Sequence, residues 1–327
     1  MAAAPSVDAP VVNAPVVNAM SVDVEDYFQV SAFDAVVPRA TWDARESRVC
    51  ANTERLLAMF AESNVRATFF VLGWVADRYP ALVRRIASQH HELASHGYSH
   101  HLVYDQTPSQ FREDVRRAKR VIEDASGTVV EGYRAPSYSV TERSLWALDV
   151  LVEEGYRYDA SIFPIYHDRY GIPSSPRHAH IRTLTNGSIV EAPASTVRLG
   201  RVNLPMAGGG YFRLLPYWWT RWGIKRLNTV ERRPAFFYLH PWEIDPAQPR
   251  VAVGATTRIR HYRNLDKTES RLRRMMHEFR FSTVASVLRT AAPRFSRAIG
   301  EVPSPPVRLD GVRLDRLPAV AKRAPGR

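Results

Sequence analysis

Short apolar runs and amphipathic helical segments alternate along most of this sequence, and few folds accommodate that order. The runs at 67–72 and 234–239 have the length and the aromatic and aliphatic content of buried strands. Segments such as 47–63 and 108–125 carry apolar residues at helical spacing on one face. Strands that alternate with helices form parallel sheets covered by helices, so the sequence predicts an α/β fold. About seven such units in one domain favour a barrel over an open sheet.

The two ends of the chain lack this alternation. Residues 1–19 are rich in Ala, Pro, Val and Asn, and the sequence Ala-Pro-Val-Val-Asn at 9–13 recurs at 14–18. Residues 291–327 are rich in Pro and Arg. Because neither stretch has a regular apolar period, we predict a disordered leader and a disordered tail. One domain is predicted between them, over residues 20–290.

Composition and charge narrow the class of protein. Four of the 45 basic residues are lysines, so arginine supplies the other 41, and the formal net charge is +12. We interpret arginine as the preferred cation of the chain, with weak attraction to polyanions and no specific nucleic-acid partner. Neither a membrane-length apolar run nor a signal peptide is evident, and Cys50 is the single cysteine. We therefore expect a cytoplasmic protein, with association with the inner membrane surface left open.

One pair of histidines has the spacing of metal ligands. His96 and His100 lie four residues apart, directly after the predicted strand at 92–95. Such a pair binds one ion if the segment turns helically, and neutral imidazoles suit Zn²⁺, Co²⁺ or Ni²⁺. The pair alone is a weak signal, because its neighbouring histidines equally indicate a His-rich surface loop.

Residues able to do chemistry recur at the same end of the predicted strands. They are Asp23, Glu25, His96, His100, Arg134, Asp159 and His240. In a barrel of parallel strands these ends meet on one face, where the following loops carry the chemistry. The sequence therefore predicts one composite site rather than several scattered polar residues.

Five motifs in order extend this argument to a family. They are Val-Asp-Val-Glu-Asp-Tyr-Phe, Ser-His-Gly-Tyr-Ser-His, Tyr-Arg-Ala-Pro-Ser-Tyr, Tyr-Asp-Ala-Ser-Ile-Phe-Pro and Tyr-Leu-His-Pro-Trp-Glu. Over about residues 20–245 the chain resembles the NodB-type polysaccharide deacetylases, carbohydrate esterase family 4. The motifs look like those of the exosortase-associated subgroup, whose extra C-terminal segment would cover about 245–290 here. The resemblance implies a distorted (β/α)7 barrel that removes acetyl groups from N-acetylated sugars in polysaccharides.

The resemblance implies a metal centre and a general base. Asp23 would be the base that takes a proton from the attacking water. Glu25, His96 and His100 would hold one divalent cation, Zn²⁺ in the first place, with Co²⁺ or Ni²⁺ as alternatives. The family more often has Asp as the carboxylate ligand, so Glu25 or Asp26 must serve here. We prefer Glu25 because it follows Asp23 by two residues, on the same side of a strand.

The resemblance also assigns the acid side of the reaction. Arg134 would pair with Asp23 and orient it. His240 would be the general acid that protonates the leaving amine, and Asp159 would orient His240 and raise its pKa.

Four further residues are expected to contact the substrate. The family usually has Tyr directly after the Pro of the third motif, and its backbone N–H helps to bind the oxyanion. Here Ser137 holds that position and Tyr138 follows, so either N–H group is a candidate. Phe163 falls where the family often has an aromatic residue against the acetyl methyl group. Trp242 is a candidate for stacking on a sugar ring.

The predicted function is a metal-dependent hydrolase of carbon–nitrogen bonds other than peptide bonds. It would remove N-acetyl groups from sugar residues of an exopolysaccharide or its precursor, with the exopolysaccharide biosynthesis machinery as a partner. Two alternatives are a hydrolase of the same scaffold that acts on a small cyclic amide, and a non-catalytic glycan-binding module. Metal analysis and acetate release from acetylated oligosaccharides separate the three.

Overall fold

The structure is a computed structural model that describes residues 15–300. The predicted disorder of residues 1–14 and 301–327 lies outside the described residues. The strands are β1 (Asn18–Val24), β2 (Thr68–Val71), β3 (Glu92–Ser95), β4 (Gly132–Tyr133), β5 (Tyr158–Asp159), β6 (His180–Leu184), β7 (Gly187–Glu191), β8 (Thr196–Leu199), β9 (Val202–Pro205), β10 (Phe236–Leu239) and β11 (Phe281–Ser282). The helices are α1 (Val49–Glu62), α2 (Gly73–Arg78), α3 (Pro80–Ser88), α4 (Pro108–Ser126), α5 (Trp146–Glu153), α6 (Gly209–Leu214), α7 (Tyr217–Thr229), α8 (Ala255–Tyr262), α9 (Leu265–Glu278), α10 (Val284–Ala291) and α11 (Pro293–Ile299).

In the described residues the main sheet has nine strands. Seven are parallel in the order β10-β1-β2-β3-β4-β5-β7, the short β11 also pairs parallel with β1, and β6 pairs antiparallel with β7 at the edge. Across residues 15–300, strand pairing does not join β7 to β10. Irregular backbone bridges that gap instead: the Ser195 N–H donates to Phe236 O at 3.3 Å, and the Tyr238 N–H donates to Ala207 O at 2.9 Å. The barrel is therefore distorted, because one of its sides consists of loops.

The strands separate two apolar regions because successive side chains point to opposite faces. Val22 and Phe69 belong to the large core between the sheet and its outer helices. Phe70 belongs to the smaller interior cluster. On β1 the same alternation turns Ser21 and Asp23 away from the outer core. A carboxylate thus faces the barrel interior from the carboxyl end of a central strand.

Helix α4 shows how local sequence fixes an element beside the site. Thr107 and Gln110 form a capping box at its start, and Gly127 ends it in the left-handed conformation at φ +70°. One stripe of the helix is buried, formed by Phe111, Val115, Ala118 and Ile122. The stripe packs the helix onto the barrel, so that its first turns reach the loop after β3.

The predicted tail from residue 291 is partly wrong. Helix α11 buries Phe295 and Ile299 in the interior cluster, next to Phe70 and Val287. The helix has apolar residues at only two positions and arginines at others, so its sequence resembles a polar tail. It is ordered because it closes the amino-terminal end of the barrel together with α10.

The predicted leader also needs correction, and strand β6 was not predicted. Strand β1 begins at Asn18, where Asn18 pairs with Phe281 and Ala19 with Phe236, so the domain starts before residue 20. Strand β6 forms a half-exposed hairpin with β7. Edge strands of this kind lack the continuous apolar run of buried strands.

Within residues 15–300, no helix combines the length and apolarity that crossing a membrane requires.

Candidate active site

A pocket at the carboxyl ends of the parallel strands brings most of the predicted site residues together. Its lining includes Asp23, Glu25, His96, His100, Ser137, Tyr138, His240 and Trp242. Arg134 lies directly beneath, bonded to Asp23. Asp159 and Phe163 lie outside this lining.

Glu25, His96 and His100 are arranged as a metal-binding group. They are buried, and one donor atom from each lies within 4.8 Å of the others. Glu25 Oε2 is 2.7 Å from His100 Nε2. His96 Nδ1 is 2.8 Å from Arg134 O, which fixes the ring and leaves Nε2 without a partner among the described residues. Buried polar atoms rarely stay unpaired, and one carboxylate with two imidazoles is a donor set of catalytic zinc sites. These residues therefore fit a divalent cation.

The protonation of these side chains suits that role. Burial raises the pKa of Glu25, but the charge of His100 and its hydrogen bond to Glu25, together with the nearby His240, outweigh burial and lower the pKa to about 2. Burial lowers the pKa of His96 to about 4. At neutral pH the group thus offers an ionised carboxylate and a neutral imidazole, the forms that bind metals.

Of the two acids that the sequence left open, only Glu25 faces the pocket. The Trp242 indole N–H donates to Glu25 Oε1 at 3.2 Å, so that Oε2 points towards the histidines. Asp26 Oδ2 instead accepts hydrogen bonds from Ser47 Oγ at 2.7 Å and from the Arg48 N–H at 2.8 Å. Asp26 anchors the start of α1.

The Trp242 ring stacks on His240 at 5.1 Å and on His261 at 4.2 Å, so both its faces are covered and the predicted stacking on a sugar ring is wrong. Trp242 instead orients Glu25.

Asp114 on α4 holds the loop between the two histidines. Its carboxylate accepts hydrogen bonds from the backbone N–H groups of Tyr98 at 2.8 Å and Ser99 at 3.1 Å. Gly97 has φ +72°, and a Cβ there would come within 2.7 Å of Asp114 Oδ2. Glycine is required at this position because it combines the left-handed conformation with a close approach of the carboxylate.

Arg134 presents Asp23 to the pocket. Its Nη1 donates to Asp23 Oδ1 at 2.6 Å and to Ser21 Oγ at 2.9 Å, and its Nε donates to Ala160 O at 3.2 Å. Burial lowers the pKa of Arg134, but the charge of Asp23 more than compensates, so the guanidinium stays ionised. With Oδ1 engaged, Oδ2 faces the pocket and lies 3.8 Å from His240 Nε2.

His240 is held by Glu243 rather than by Asp159. Its Nδ1 is 2.7 Å from Glu243 Oε1, and Arg213 Nε donates to Glu243 Oε2 at 2.6 Å. Burial lowers the pKa of His240, but the hydrogen bond to Glu243 and the nearby carboxylates raise it to about 9 overall. Nδ1 is thus bound on the protein side, and Nε2 faces the pocket.

The predicted contact between Asp159 and His240 is wrong. Asp159 accepts hydrogen bonds from the Ser161 hydroxyl and N–H, and Ser161 Oγ accepts from the Ala135 N–H at 2.7 Å. Asp159 pairs in register with Glu191 on β7, and burial raises the pKa of both carboxyls. This buried group supports the loop after β4 from behind the site.

Sequence reasoning missed Glu243 and Arg213. The motif His-Pro-Trp-Glu contained a usable signal, because an acid three residues after the first residue of a short helix commonly bonds back to it. Here the Glu243 carboxylate accepts from the His240 backbone N–H at 3.0 Å as well as binding the ring. Arg213 had no comparable local signal, since it approaches Glu243 from the distant helix α6.

Phe163 does not reach the pocket, contrary to the prediction. Its ring is fully buried, 5.3 Å from the ring of Tyr138 and 6.1 Å from the nearly parallel ring of Tyr170. Tyr138 and Tyr170 provide the aromatic lining in its place.

Among the described residues, one of the two candidate oxyanion donors already makes a hydrogen bond within the protein and the other does not. The Tyr138 N–H donates to Ala135 O at 3.1 Å. Ser137 has φ +52°, its side-chain oxygen is 2.8 Å from Ser31 Oγ, and its N–H makes no hydrogen bond among the described residues. Of the two, the Ser137 N–H is therefore available to a ligand.

The described residues have a NodB-type α/β fold, which confirms the predicted fold class. Residues 38–158 match the polysaccharide deacetylase family, and residues 160–289 match a domain of unknown function, DUF3473. These two matched stretches are called the deacetylase region and the DUF3473 region below. A crystal structure of a candidate polysaccharide deacetylase from Mycobacterium smegmatis shares this fold, with a TM-score of 0.56 and 20% identity over 84% of this chain and 87% of that one.

The curated relatives are named as deacetylases. A peptidoglycan-N-acetylglucosamine deacetylase of Bacillus cereus is 30% identical over 30% of this chain and 36% of its own length. A peptidoglycan deacetylase of Helicobacter pylori is 30% identical over 36% of this chain and 40% of its own length. A chitooligosaccharide deacetylase of Rhizobium leguminosarum is 37% identical over 29% of this chain and 42% of its own length. The chain thus spans about two fifths of the length of these relatives.

Proposed function

We propose that this protein is a metal-dependent deacetylase that hydrolyses the N-acetyl groups of sugar residues in an exopolysaccharide or its precursor. One observation carries the proposal: a single pocket contains both a cation-binding group and two proton-transfer residues that face each other. Glu25, His96 and His100 form the cation-binding group, and Asp23 and His240 are the proton-transfer residues. Amide hydrolysis requires electrophilic activation, a base and an acid, and the pocket has a residue for each.

The division of labour follows from which atoms are free. A bound divalent cation supplies Lewis acidity and makes water a better nucleophile. Asp23 takes the proton of the attacking water at Oδ2, because Arg134 occupies Oδ1. His240 gives a proton from Nε2 to the leaving nitrogen, because Nδ1 is bound to Glu243. Asp23 Oδ2 and His240 Nε2 face each other at 3.8 Å and would lie on either side of the scissile bond.

The backbone N–H of Ser137 is the proposed donor to the oxyanion that forms when water attacks the acetyl carbonyl. It is the candidate not engaged within the described residues, and the positive φ of Ser137 holds it at the pocket wall. Such preorganised donors are worth more in the transition state than in the ground state, where the carbonyl oxygen carries less charge.

The substrate and context are proposed from the relatives and from sequence. The names of the relatives refer to peptidoglycan, N-acetylglucosamine and chitooligosaccharides, which all involve N-acetylated sugars. We assign this chain to the exosortase-associated subgroup on its motifs and its DUF3473 region. The same proposal includes an exopolysaccharide substrate, partners in its biosynthesis, Zn²⁺ as the ion and a cytoplasmic location.

Acetate release from a panel of acetylated glycans and small cyclic amides, with and without chelator, tests the proposal. Activity should vanish with chelator and return on addition of Zn²⁺. His96→Ala should lose the ion, which we expect at about one per chain, and most of the activity. His101→Ala is the matched control, because His101 is exposed in the same loop. Full metal content in His96→Ala, or hydrolysis of the cyclic amides alone, would contradict the proposal.

A further inference from the structure

Two arginines at the pocket rim have no acidic partner in the described part of the chain. Arg169 lies on the loop before β6, and Arg260 lies on α8 of the DUF3473 region. Both are exposed, and both line the pocket that holds the candidate catalytic residues. The acid next to Arg169 is the exposed Asp168, whose Oδ1 lies 2.9 Å from His167 Nδ1 and which forms no salt bridge with Arg169 or Arg260.

The two guanidinium groups are placed around a fixed aromatic platform. The Tyr170 ring stacks on His167 with a centroid distance of 3.8 Å and an interplanar angle of 12°. Burial is the main cause of the lowered pKa of His167. The charge of Asp168 raises this pKa, and the charges of Arg260 and Arg169 lower it. Both positive charges thus act on the ring that packs against Tyr170, so the two arginines lie on the same part of the rim.

The carboxylates inside the pocket are already neutralised by other groups. Arg134 binds Asp23, and Arg213 binds Glu243. Glu25 faces His100 and belongs to the group that fits a cation. No acid within the site is therefore left for the rim arginines.

Some surface arginines of this protein have acidic partners: Arg112 and Arg116 bind Glu154, and Arg273 binds Glu269. Others have none among the described residues, so the lack of a partner alone does not distinguish the two rim arginines. Their position does, because both line the pocket that holds the candidate catalytic residues. Guanidinium groups bind carboxylates and phosphates through paired N–H donors, so an anion from outside is the complementary ligand.

We propose that Arg169 and Arg260 form an anion subsite, and that the substrate is an N-acetylated glycan with a carboxylate or phosphate on the acetylated sugar or its neighbour. The inference rests on the proposed deacetylase function, because it assigns a substrate class to the same pocket. It explains why a DUF3473 helix reaches the rim. In this arrangement the anion anchors the glycan while the acetamido group reaches Asp23 and His240.

Two matched pairs of probes test the subsite on the full-length protein loaded with Zn²⁺. A hyaluronan hexasaccharide is compared with its carboxyl-reduced form, and N-acetylglucosamine 1-phosphate with N-acetylglucosamine. Acetate release gives kcat and KM, and titration calorimetry gives Kd for each probe. The variant Arg169→Gln/Arg260→Gln removes both charges but keeps polar side chains. The control Arg201→Gln/Arg258→Gln removes the same charge from exposed positions outside this pocket.

At least one charged probe should have about tenfold higher kcat/KM than its neutral counterpart. A preference for the hyaluronan hexasaccharide identifies carboxylate as the ligand, and a preference for N-acetylglucosamine 1-phosphate identifies phosphate. The rim variant should lose that preference through KM, whereas the control variant should keep it. Equal use of charged and neutral probes, or equal loss in both variants, would overturn the subsite. If no probe releases acetate, the proposed function fails. The subsite is then judged by Kd alone: charged-probe binding lost only in the rim variant supports it, and any other binding result overturns it.

Discussion

Glu243 makes two bonds at once, to the ring of His240 and to the guanidinium of Arg213. A carboxylate fixed from behind in this way determines both the tautomer and the direction of the imidazole. The family resemblance assigned this role to Asp159. The folded structure distinguishes the two acids. Asp159 is covered by Ser161 and Glu191, whereas Glu243 bonds back to His240, the residue directly before its own short helix.

Glu243→Gln should lower kcat for N-acetylated sugars by about tenfold to a hundredfold, since a general acid contributes about 10²–10⁴ and the variant misdirects it. The loss should be much smaller for an aryl acetate ester, whose leaving group needs no protonation. Glu243→Asp should recover part of the amide activity. Thermal melts are needed alongside, because Gln leaves the buried Arg213 without its ionic partner.

Asp159→Asn is the comparison for this prediction. It should leave the ratio of amide to ester activity at the wild-type value, because Asp159 does not touch His240. If Asp159→Asn changes that ratio and Glu243→Gln does not, the assignment made from sequence is right and the one made from geometry is wrong.

At the scale of an element, the loop after β3 depends on α4, the next α-helix along the chain. Asp114 binds two backbone N–H groups of the loop, and Arg39 Nη2 donates to His100 O at 2.9 Å from its other side. His100 has φ +54°, a conformation that a non-glycine residue keeps only when its surroundings hold it. Contacts that the sequence did not reveal thus hold the loop in place despite the conformational freedom of Gly97.

Asp114→Ala should weaken Zn²⁺ binding by about tenfold to a hundredfold, because the loop that presents His100 loses its anchor. Competition with a fluorescent chelator measures the dissociation constant without relying on activity. Asp105→Ala is a suitable control, as Asp105 is an exposed acid after the same loop. An unchanged zinc affinity in Asp114→Ala would show that the loop holds its shape without the carboxylate.

Helix α11 offers a second test at this scale, since its sequence was taken for part of a disordered tail. Phe295→Ala should lower the free energy of unfolding by about 3 kcal/mol and Tm by roughly 5–10 °C, because Phe295 is buried in the interior cluster. Arg297→Ala, at an exposed position of the same helix, should leave Tm unchanged. Equal melting of both variants would favour the disordered tail instead.

For the whole molecule, the site belongs to neither matched region alone. Asp23 and Glu25 precede residue 38, His96 and His100 lie in the deacetylase region, and His240 lies in the DUF3473 region. The parallel sheet joins them, because β10 and β2 flank β1 on either side. Separating the two regions would therefore divide the base and the metal group from the acid.

The same architecture explains what sequence could predict. Buried parallel strands have strong apolar runs, so β1, β2, β3 and β10 and the polar residues at their ends were predictable. Strands β8 and β9 form a separate, partly exposed hairpin in which Val and Leu alternate with other residues instead of forming a continuous apolar run, and these strands were not predicted. Contacts such as the one between Arg213 and Glu243 depend on packing between elements, which local patterns do not encode.

The molecule should also lose stability in mild acid, and His261 allows one contribution to be isolated. This residue lies between the rings of Trp242 and Phe33, and its Nε2 is 2.8 Å from Gln248 Oε1. Burial lowers its pKa from 6.5 to about 3. Above pH 6.5 the ring is neutral in both the folded and the unfolded chain. As the pH falls below 6.5 the unfolded chain takes up a proton that the folded protein excludes, so stability is lost progressively down to about pH 3.

At pH 5 this one group should reduce the free energy of unfolding by about 2 kcal/mol relative to pH 7.5. Denaturant unfolding of the chelator-treated protein at both pH values measures the difference. His261→Gln cannot titrate, so its loss between the two pH values should be smaller than that of the wild type by this amount. His277→Gln, at an exposed position on α9, should lose as much as the wild type. An identical pH dependence in wild type and His261→Gln would mean that the folded protein admits the proton, and that the buried stack opens before the rest of the molecule unfolds.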